Sequence, residues 1–211
     1  SMGGNQTALF VTGTDTGVGK TVVTAAIAAL TVAAGRRAAV CKPAQTGVAP
    51  DEPGDLEFVR AAVNKSPLLQ TGYAYRLREP LAPSVAARLE GAAIEPSRLT
   101  EIYARLSEGA DTVLVEGAGG LLVPLADGYL MADLARDLGL TVLVVARPGL
   151  GTLNHTALTV EAARARGLEV AGIVLSRFPA APDLATVTNA REVERLTGAP
   201  MVDVSSGVES A

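Results

Sequence analysis

The sequence predicts a single α/β domain in which a doubly wound, mostly parallel sheet is covered by helices on both faces. Short apolar segments rich in β-branched residues alternate with Ala-rich segments of helical length, which is the pattern of strand–helix–strand crossovers. The hydrophobic fraction is 48%, although only 3% of the residues are aromatic and none is Trp, so the core must be aliphatic. Such a core suits parallel strands that are buried on both faces.

The elements follow in a regular order. The first apolar segment ends in glycine and leads into an Ala-rich helix, whereas segment 42–54, with three prolines and two glycines, is predicted to be a long loop. The later strands each end in a loop with polar residues, where ligands of parallel sheets bind. Strands are predicted at 8–12, 37–41, 112–116, 141–146 and 170–175, and helices at 19–33, 55–63, 84–90, 96–106, 152–166 and 189–197.

Length, charge and cysteine content limit the class of protein. We expect one domain over 1–211, with a tag remnant or disordered start at 1–6, because Ser1 precedes Met2, and a frayed tail at 205–211. A net charge of −4 argues against nucleic acid as a partner. Cys41 is the only cysteine, which excludes an internal disulfide and suits a reducing cytoplasm. No apolar segment is as long as a membrane helix, so we expect a cytoplasmic protein without a membrane partner.

A glycine-rich loop joins the first strand to the first helix, with the sequence Gly13-Thr14-Asp15-Thr16-Gly17-Val18-Gly19-Lys20-Thr21. Its glycines let backbone N–H groups surround phosphate oxygens at a helix N-terminus. The Lys20 ammonium suits the β- and γ-phosphates, and the Thr21 hydroxyl suits magnesium. Five residues separate the first glycine from the Gly-Lys pair, whereas the common P-loop pattern has four, but the strand–loop–helix context supports a P-loop. The alternative is a glycine-rich turn with a solvated lysine.

Further charged residues follow the predicted strands. Glu116 lies in the segment VEGAGG and Lys42 follows the second strand, so both are expected at the crevice that holds the glycine-rich loop. Glu116 could bind magnesium or merely cap a turn, and Lys42 could be an ordinary solvated charge. Asp55 begins a predicted helix, where N-capping is its ordinary role. The sole histidine, His155, is interpreted as structural rather than as a general base, and Cys41 as a buried strand residue.

Taken in order, the segments GTDTGVGKT, CKPAQTG, VEGAGG and LGTLNH resemble the dethiobiotin synthetase family. The resemblance extends from Phe10 to Leu175, and the five-residue spacing in the loop is the family's own variant. It implies an ATP-dependent cyclo-ligase of biotin synthesis, in which 7,8-diaminononanoate and carbon dioxide form a carbamate that attacks the γ-phosphoryl group. The second amine then captures the carbamic–phosphoric anhydride, giving dethiobiotin, ADP and phosphate. The resemblance also implies a homodimer with shared active sites.

This resemblance assigns roles to individual residues. The implied catalytic residues are Lys42, which bridges the carbamate and the γ-phosphate, together with Lys20 and Thr16. The implied magnesium ligands are Thr21, Asp55 and Glu116, an all-oxygen set that suits a hard cation. The implied ATP site consists of Gly17, Val18, Gly19, Lys20, Thr21, Val22, Asp55, Glu116, Gly117, Ala118, Gly119 and Ser176. The diamine would contact Thr46 and Lys42, and its carboxylate would meet a helix start of the neighbouring subunit formed by Gly151, Thr152, Leu153 and Asn154.

Departures from the family pattern surround the expected base of the nucleotide. Ser176 stands where the family commonly has an asparagine that reads the adenine edge, and a hydroxyl cannot offer the same paired donor and acceptor. Segment 201–205 replaces a Gly-x-Ile-Pro segment that helps to wall the base pocket. Near Pro80-Leu81-Ala82-Pro83, Ser84 replaces a residue that is often histidine. We therefore expect relaxed base selectivity, with other nucleoside triphosphates serving beside ATP.

Other classes that share this fold fit the sequence less well. A partitioning or septum-positioning ATPase carries an extra lysine early in the loop, where this chain has Asp15, and no amphipathic membrane helix is evident at its end. A synthetase of the amidotransferase type would need a glutaminase domain, for which 211 residues leave no room. A non-catalytic nucleotide-binding module would be expected to have lost Lys42 or Glu116.

Overall fold

Strands and helices alternate along the chain in a computed structural model that describes residues 4–205 and 207. The predictions for residues 1–3, 206 and 208–211 lie outside this range. The strands are β1 (Thr7–Gly13), β2 (Ala38–Gln45), β3 (Leu69–Arg76), β4 (Thr112–Gly120), β5 (Pro124–Ala126), β6 (Tyr129–Leu130), β7 (Thr141–Ala146) and β8 (Val170–Leu175). The helices are α1 (Lys20–Ala33), α2 (Asp55–Ala62), α3 (Pro83–Leu89), α4 (Pro96–Ser107), α5 (Met131–Asp137), α6 (Thr152–Ala165) and α7 (Leu184–Thr197).

The main sheet has six strands in the order β3-β2-β4-β1-β7-β8, and all of its strand pairs are parallel. Alternate residues of the central strands enter separate cores on the two faces. Phe10 and Cys41 belong to one core with α4, α5 and α6, whereas Val11 and Val40 belong to the other with α1 and α2. The predicted doubly wound sheet with helices on both faces is confirmed. No helix within residues 4–205 is long and apolar enough to span a bilayer.

The ladder between β2 and β4 ends early, and this opens a seam at the carboxyl edge of the sheet. The two strands pair from Ala38–Thr112 to Cys41–Val115, after which β2 continues beside β3 alone, as far as the pair Gln45–Arg76. Pro43 has no N–H to donate, so β2 cannot form a full ladder at this point. Lys42 and Glu116 follow the last β2–β4 pair and therefore lie at the mouth of the seam.

Several predicted boundaries were wrong. Lys42 lies within β2, which extends to Gln45, although its proline and polar residues resemble a loop. Strand β3 was missed because it is a half-exposed edge strand with Gly72 in its middle, where a Cβ would lie 2.9 Å from Leu106 Cδ1. The short elements α5, β5 and β6 were also missed. Helix α7 begins at Leu184, where Asp183 accepts a hydrogen bond from Thr186 N, rather than at residue 189.

Candidate active site

The glycine-rich loop turns tightly between β1 and α1. Gly19 is the N-cap of α1 with φ of 103°, a left-handed conformation that favours glycine, and a Cβ there would lie 3.0 Å from Ser176 Cβ. A Cβ at Gly13 would lie 2.9 Å from the carbonyl oxygen of Asp15. Because the first N–H groups of a helix have no intrahelical acceptors, a closely wound turn of this kind can bind an anion.

Lys20 carries a buried charge at the start of α1. Its ammonium donates to the carbonyl oxygen of Asp15 at 3.2 Å, and the Asp15 carboxylate accepts a hydrogen bond from Thr16 N at 2.7 Å. Burial, followed by the positive charge of Lys42, lowers the pKa of Lys20 to about 8. An anion bound beside Lys20 would favour the charged ammonium, so the site is suited electrostatically to phosphate.

Lys42 is the centre of a buried charge cluster. Its Nζ lies 2.8 Å from Asp55 Oδ2 and 3.4 Å from Glu116 Oε2, and it donates a hydrogen bond of 3.0 Å to the carbonyl oxygen of Gly117. Lys42 is 3% exposed and Glu116 is fully buried, whereas the Asp55 side chain is 31% exposed. Burial acts to lower the pKa of Lys42, but the carboxylates of Glu116 and Asp55 outweigh it and hold the pKa above its ordinary value. The ammonium is therefore charged at neutral pH.

Glu116 has oxygen atoms that suit a metal cation. Both carboxylate oxygens are buried, and neither has a hydrogen-bond partner among the described residues. A buried carboxylate is costly unless positive charge and polar contacts compensate it, and Lys42 supplies only part of this compensation. The described residues contain no cluster of three or more His, Cys, Asp or Glu side chains arranged for a metal ion. Magnesium is commonly bound by one or two carboxylates together with substrate phosphates, so Asp55 and Glu116 fit that ion.

Asp55 is the first residue of α2, and Gly54 is the N-cap, so the ordinary capping role considered for Asp55 does not apply. Its backbone N–H donates to Gln45 Oε1 at 2.8 Å. The side chain is left free to contact Lys42, and the helix start is attached to the end of β2.

A cavity of about 330 Å³ brings most of the predicted site residues together. Those that line it are Thr16, Gly17, Gly19, Lys20, Thr21, Val22, Lys42, Thr46, Asp55, Ala118 and Gly119. Three others, Val18, Glu116 and Gly117, are buried outside this lining. The combination of a glycine-rich helix start, two buried ammonium groups and two carboxylates can hold a triphosphate, a cation and a second anion close together.

Ser176 lies beneath the glycine-rich loop rather than in the cavity lining. It is buried, and its hydroxyl is placed to donate to the carbonyl oxygens of Val18 and Ala146. A hydroxyl has a single hydrogen to donate. With that hydrogen directed at the backbone, Ser176 supports the loop and has no donor left for a nucleotide base.

The start of α6 does not line the cavity of its own chain. Gly151 is its N-cap with φ of 99°, and Thr152 N donates to the carbonyl oxygen of Gly149 at 3.2 Å. The following N–H groups, those of Leu153 and Asn154, have no backbone acceptor among the described residues. His155 is exposed and lies apart from the cavity.

Four residues of this region were missed in the sequence. Ala44, Gln45 and Arg177 line the cavity, and Arg147 donates from Nη2 to the carbonyl oxygen of Thr16 at 3.3 Å. Arg147 directly follows β7, and Arg177 lies two residues after the end of β8, so the rule that predicted Lys42 and Glu116 could also have found them. No local pattern indicated Gln45.

The fold and the glycine-rich loop define a P-loop α/β protein. Among solved structures, the chain is similar in fold to a ParA family ATPase from Chlorobium tepidum TLS, with a TM-score of 0.58 and 15% identity over 98% of this chain and 89% of that one. Chloroplast FtsY from Physcomitrella patens has a TM-score of 0.57 and 16% identity over 99% of this chain and 66% of that one. The AAA domain family matches residues 7–207.

Curated relatives identify the family more closely. The ATP-dependent dethiobiotin synthetase BioD of Anaeromyxobacter sp. (strain Fw109-5) is 53% identical over 190 residues, which cover 90% of this chain and 85% of the relative. The enzyme of the same name from Saccharopolyspora erythraea is 53% identical over 198 residues, which cover 93% and 85%. The chain belongs to the ATP-dependent dethiobiotin synthetase family.

Proposed function

We propose that this chain catalyses the ATP-dependent carboxylation and ring closure of 7,8-diaminononanoate, giving dethiobiotin, ADP and phosphate. The observation that carries this proposal is the buried Lys42 ammonium, fixed between Asp55 and Glu116 in the cavity that also contains the glycine-rich loop. A positive charge in this position can face both a carbamate and the phosphoryl group that the carbamate attacks. The identity of 53% with named dethiobiotin synthetases supports the same reaction.

The residues of the chain act by holding charged groups in reactive positions. One amine of the substrate adds to carbon dioxide and loses a proton, which leaves a carbamate anion. A carbamate oxygen attacks the γ-phosphorus as the bond to ADP breaks. The second amine then attacks the carbonyl carbon, and it loses a proton as phosphate leaves. Lys42 holds the carbamate beside the phosphoryl group. Lys20 and the N–H groups of loop residues 16–21 stabilise the negative charge on the phosphoryl oxygens.

Magnesium is part of the proposal. Thr21, Asp55 and Glu116 would hold the ion, which fits the two buried oxygens of Glu116, neither of which has a hydrogen-bond partner among the described residues. When bound, it would neutralise charge on the β- and γ-phosphates. Calorimetric titration with magnesium and ADP should give weaker metal binding for Glu116→Gln than for the unaltered chain. Equal metal binding would remove Glu116 from the ligand set.

A homodimer with shared active sites is also proposed. The helix start at residues 151–154, which comprises Gly151, Thr152, Leu153 and Asn154, does not line the cavity of the same subunit. In the dimer it would bind the carboxylate of a diamine that is held by Thr46 of the other subunit. Three leucines, Leu122, Leu150 and Leu158, are 46%, 95% and 57% exposed, and a partner subunit would cover them. Sedimentation analysis should give a dimer, and Leu150→Arg should weaken it. A monomeric and fully active protein would refute this arrangement.

Relaxed base selectivity remains our proposal for the nucleotide. The Ser176 hydroxyl is directed at the backbone, so it offers the adenine edge no paired donor and acceptor. Rates with ATP, CTP, GTP and UTP should therefore be similar. A strong preference for ATP alone would reject the idea. The proposal also places the enzyme in the cytoplasm, as one domain over residues 1–211, with small-molecule substrates and no nucleic acid or membrane partner.

The decisive experiment is turnover with 7,8-diaminononanoate, bicarbonate, magnesium and ATP, with phosphate and dethiobiotin both measured. We expect product only when all four are present, and omission of each in turn is the control. Phosphate release that ignores the diamine, without dethiobiotin, would instead indicate a switch ATPase.

A further inference from the structure

The first turn of α2 is attached to the sheet and to itself through side chains. The N–H groups of residues 54–56 donate, in chain order, to Glu57 Oε1 at 3.1 Å, Gln45 Oε1 at 2.8 Å and the Tyr73 hydroxyl at 3.0 Å. A helix start has no backbone acceptors for these groups. Because Gln45 ends β2 and Tyr73 belongs to β3, the contacts fix the helix start to two neighbouring strands.

Glu57 determines the direction of the Tyr73 hydroxyl. The hydroxyl donates to Glu57 Oε2 at 2.8 Å, and Arg76 donates from Nη1 to Glu57 Oε1 at 3.0 Å. An ionised carboxylate can only accept, so the hydroxyl hydrogen points to Glu57 and an oxygen lone pair remains for Leu56 N–H. Burial, followed by the hydrogen bond to Glu57, raises the pKa of Tyr73, which keeps the hydroxyl protonated.

Little space is left around this turn. A Cβ at Gly54 would lie 2.7 Å from the Tyr73 hydroxyl oxygen and 2.9 Å from Gln45 Oε1. Tyr73 also stands opposite Lys42 in the pairing of β2 with β3. The strand pair that carries Lys42 therefore also fixes the helix that carries Asp55.

We propose that Tyr73, oriented by Glu57, is a positioning residue that holds the Asp55 carboxylate against the Lys42 ammonium. Neither Tyr73 nor Glu57 lines the cavity, so an effect on turnover must act through other residues. Asp55 is the partly exposed partner of Lys42, and without a fixed helix start its carboxylate would be free to turn into solvent. The inference rests on the proposed function, because it takes Asp55 and Lys42 as part of the catalytic site.

Tyr73→Phe removes the hydroxyl, and Tyr75→Phe provides a matched control on the same strand. The Tyr75 hydroxyl accepts a hydrogen bond of 2.9 Å from Glu95 N at the start of α4, outside the cavity. We expect Tyr73→Phe to lower kcat about three- to ten-fold with little change in the KM for ATP, the effect of losing one hydrogen bond. Tyr75→Phe should lower the melting temperature similarly and leave kcat within about two-fold of the unaltered enzyme.

The same substitution in an Asp55→Asn background tests whether Tyr73 acts through Asp55. We expect Tyr73→Phe to change kcat little there, because the carboxylate that it positions is gone. An undiminished additional loss, or equal kcat values for Tyr73→Phe and Tyr75→Phe, would overturn the inference. Full activity of Asp55→Asn alone would instead refute the proposed role of Asp55. Glu57→Gln, which removes the charged acceptor, replaces Tyr73→Phe if that variant fails to fold.

Discussion

Replacing Lys42 with methionine should damage both stability and turnover, for different reasons. The substitution keeps an apolar stem of similar length but leaves Glu116, which is fully buried, without its cationic neighbour at 3.4 Å. Removing one partner of a buried ion pair costs about 3–5 kcal/mol, which for a domain of this size lowers the melting temperature by about 6–20 °C. Asp55 should contribute little to this loss, because its side chain is 31% exposed and can be solvated.

The loss of turnover should be severe, and it should not depend on the loss of stability. Removing a group that stabilises charge in a transition state commonly lowers kcat about 10²- to 10³-fold, and we expect at least this for Lys42→Met. The double variant Lys42→Met with Glu116→Gln removes the unpaired charge as well. It should recover much of the melting temperature but none of the activity.

Calorimetric unfolding and steady-state rates, measured well below the melting temperature, separate the two effects. If Lys42→Met were as stable as the unaltered chain, the argument about the buried charge of Glu116 would be refuted. A well-folded Lys42→Met variant with near-normal turnover would remove Lys42 from the mechanism. A double variant that regains activity together with stability would show that the lysine serves folding alone.

Two further predictions follow from the geometry. Gly19→Ala should weaken ATP binding and lower the melting temperature, because alanine at φ of 103° is strained and its Cβ would meet Ser176. The control is Gly35→Ala, at φ of 72° with no neighbour within 4 Å. It should match Gly19→Ala in backbone strain but leave ATP binding unchanged. Equal ATP affinities for the two variants, by calorimetry, would contradict the tight fit of the loop. Cys41 should resist alkylation by iodoacetamide at mildly alkaline pH until the chain unfolds, because burial raises the pKa of its thiol to about 12; rapid labelling of the folded protein, followed by mass spectrometry, would contradict this.

The central strands could be predicted because burial on both faces leaves uninterrupted aliphatic segments such as 113–115 and 142–146. The edge strand β3 could not, because most of its residues are half-buried without a regular alternation of buried and exposed positions, and Gly72 interrupts them. Pro43 similarly made the end of β2 look like a loop, although a proline is tolerated where the ladder to β4 has already ended.

The residues of the candidate site could be predicted only where they lie near the carboxyl ends of strands. Lys42 and Glu116 lie in the carboxyl-terminal halves of β2 and β4, which meet at one edge of the sheet, so sequence position alone placed them near each other. The attachment of Asp55 depends on contacts with Gln45 and Tyr73, which lie 10 residues before and 18 residues after it in the sequence. Contacts of this range arise from packing and leave no local pattern.

The open seam between β2 and β4 divides the site into parts that can change independently. Lys42 and Glu116 project from strands whose spacing is set by ladders that end one residue earlier, so insertions in the connection from Thr46 to Pro53 need not move them. Asp55 lies beyond that connection and depends on how its helix docks. Among diverging relatives, the length of the connection is therefore free to vary while Lys42 and Glu116 keep their positions relative to each other. The position of Asp55 is determined instead by the docking of α2.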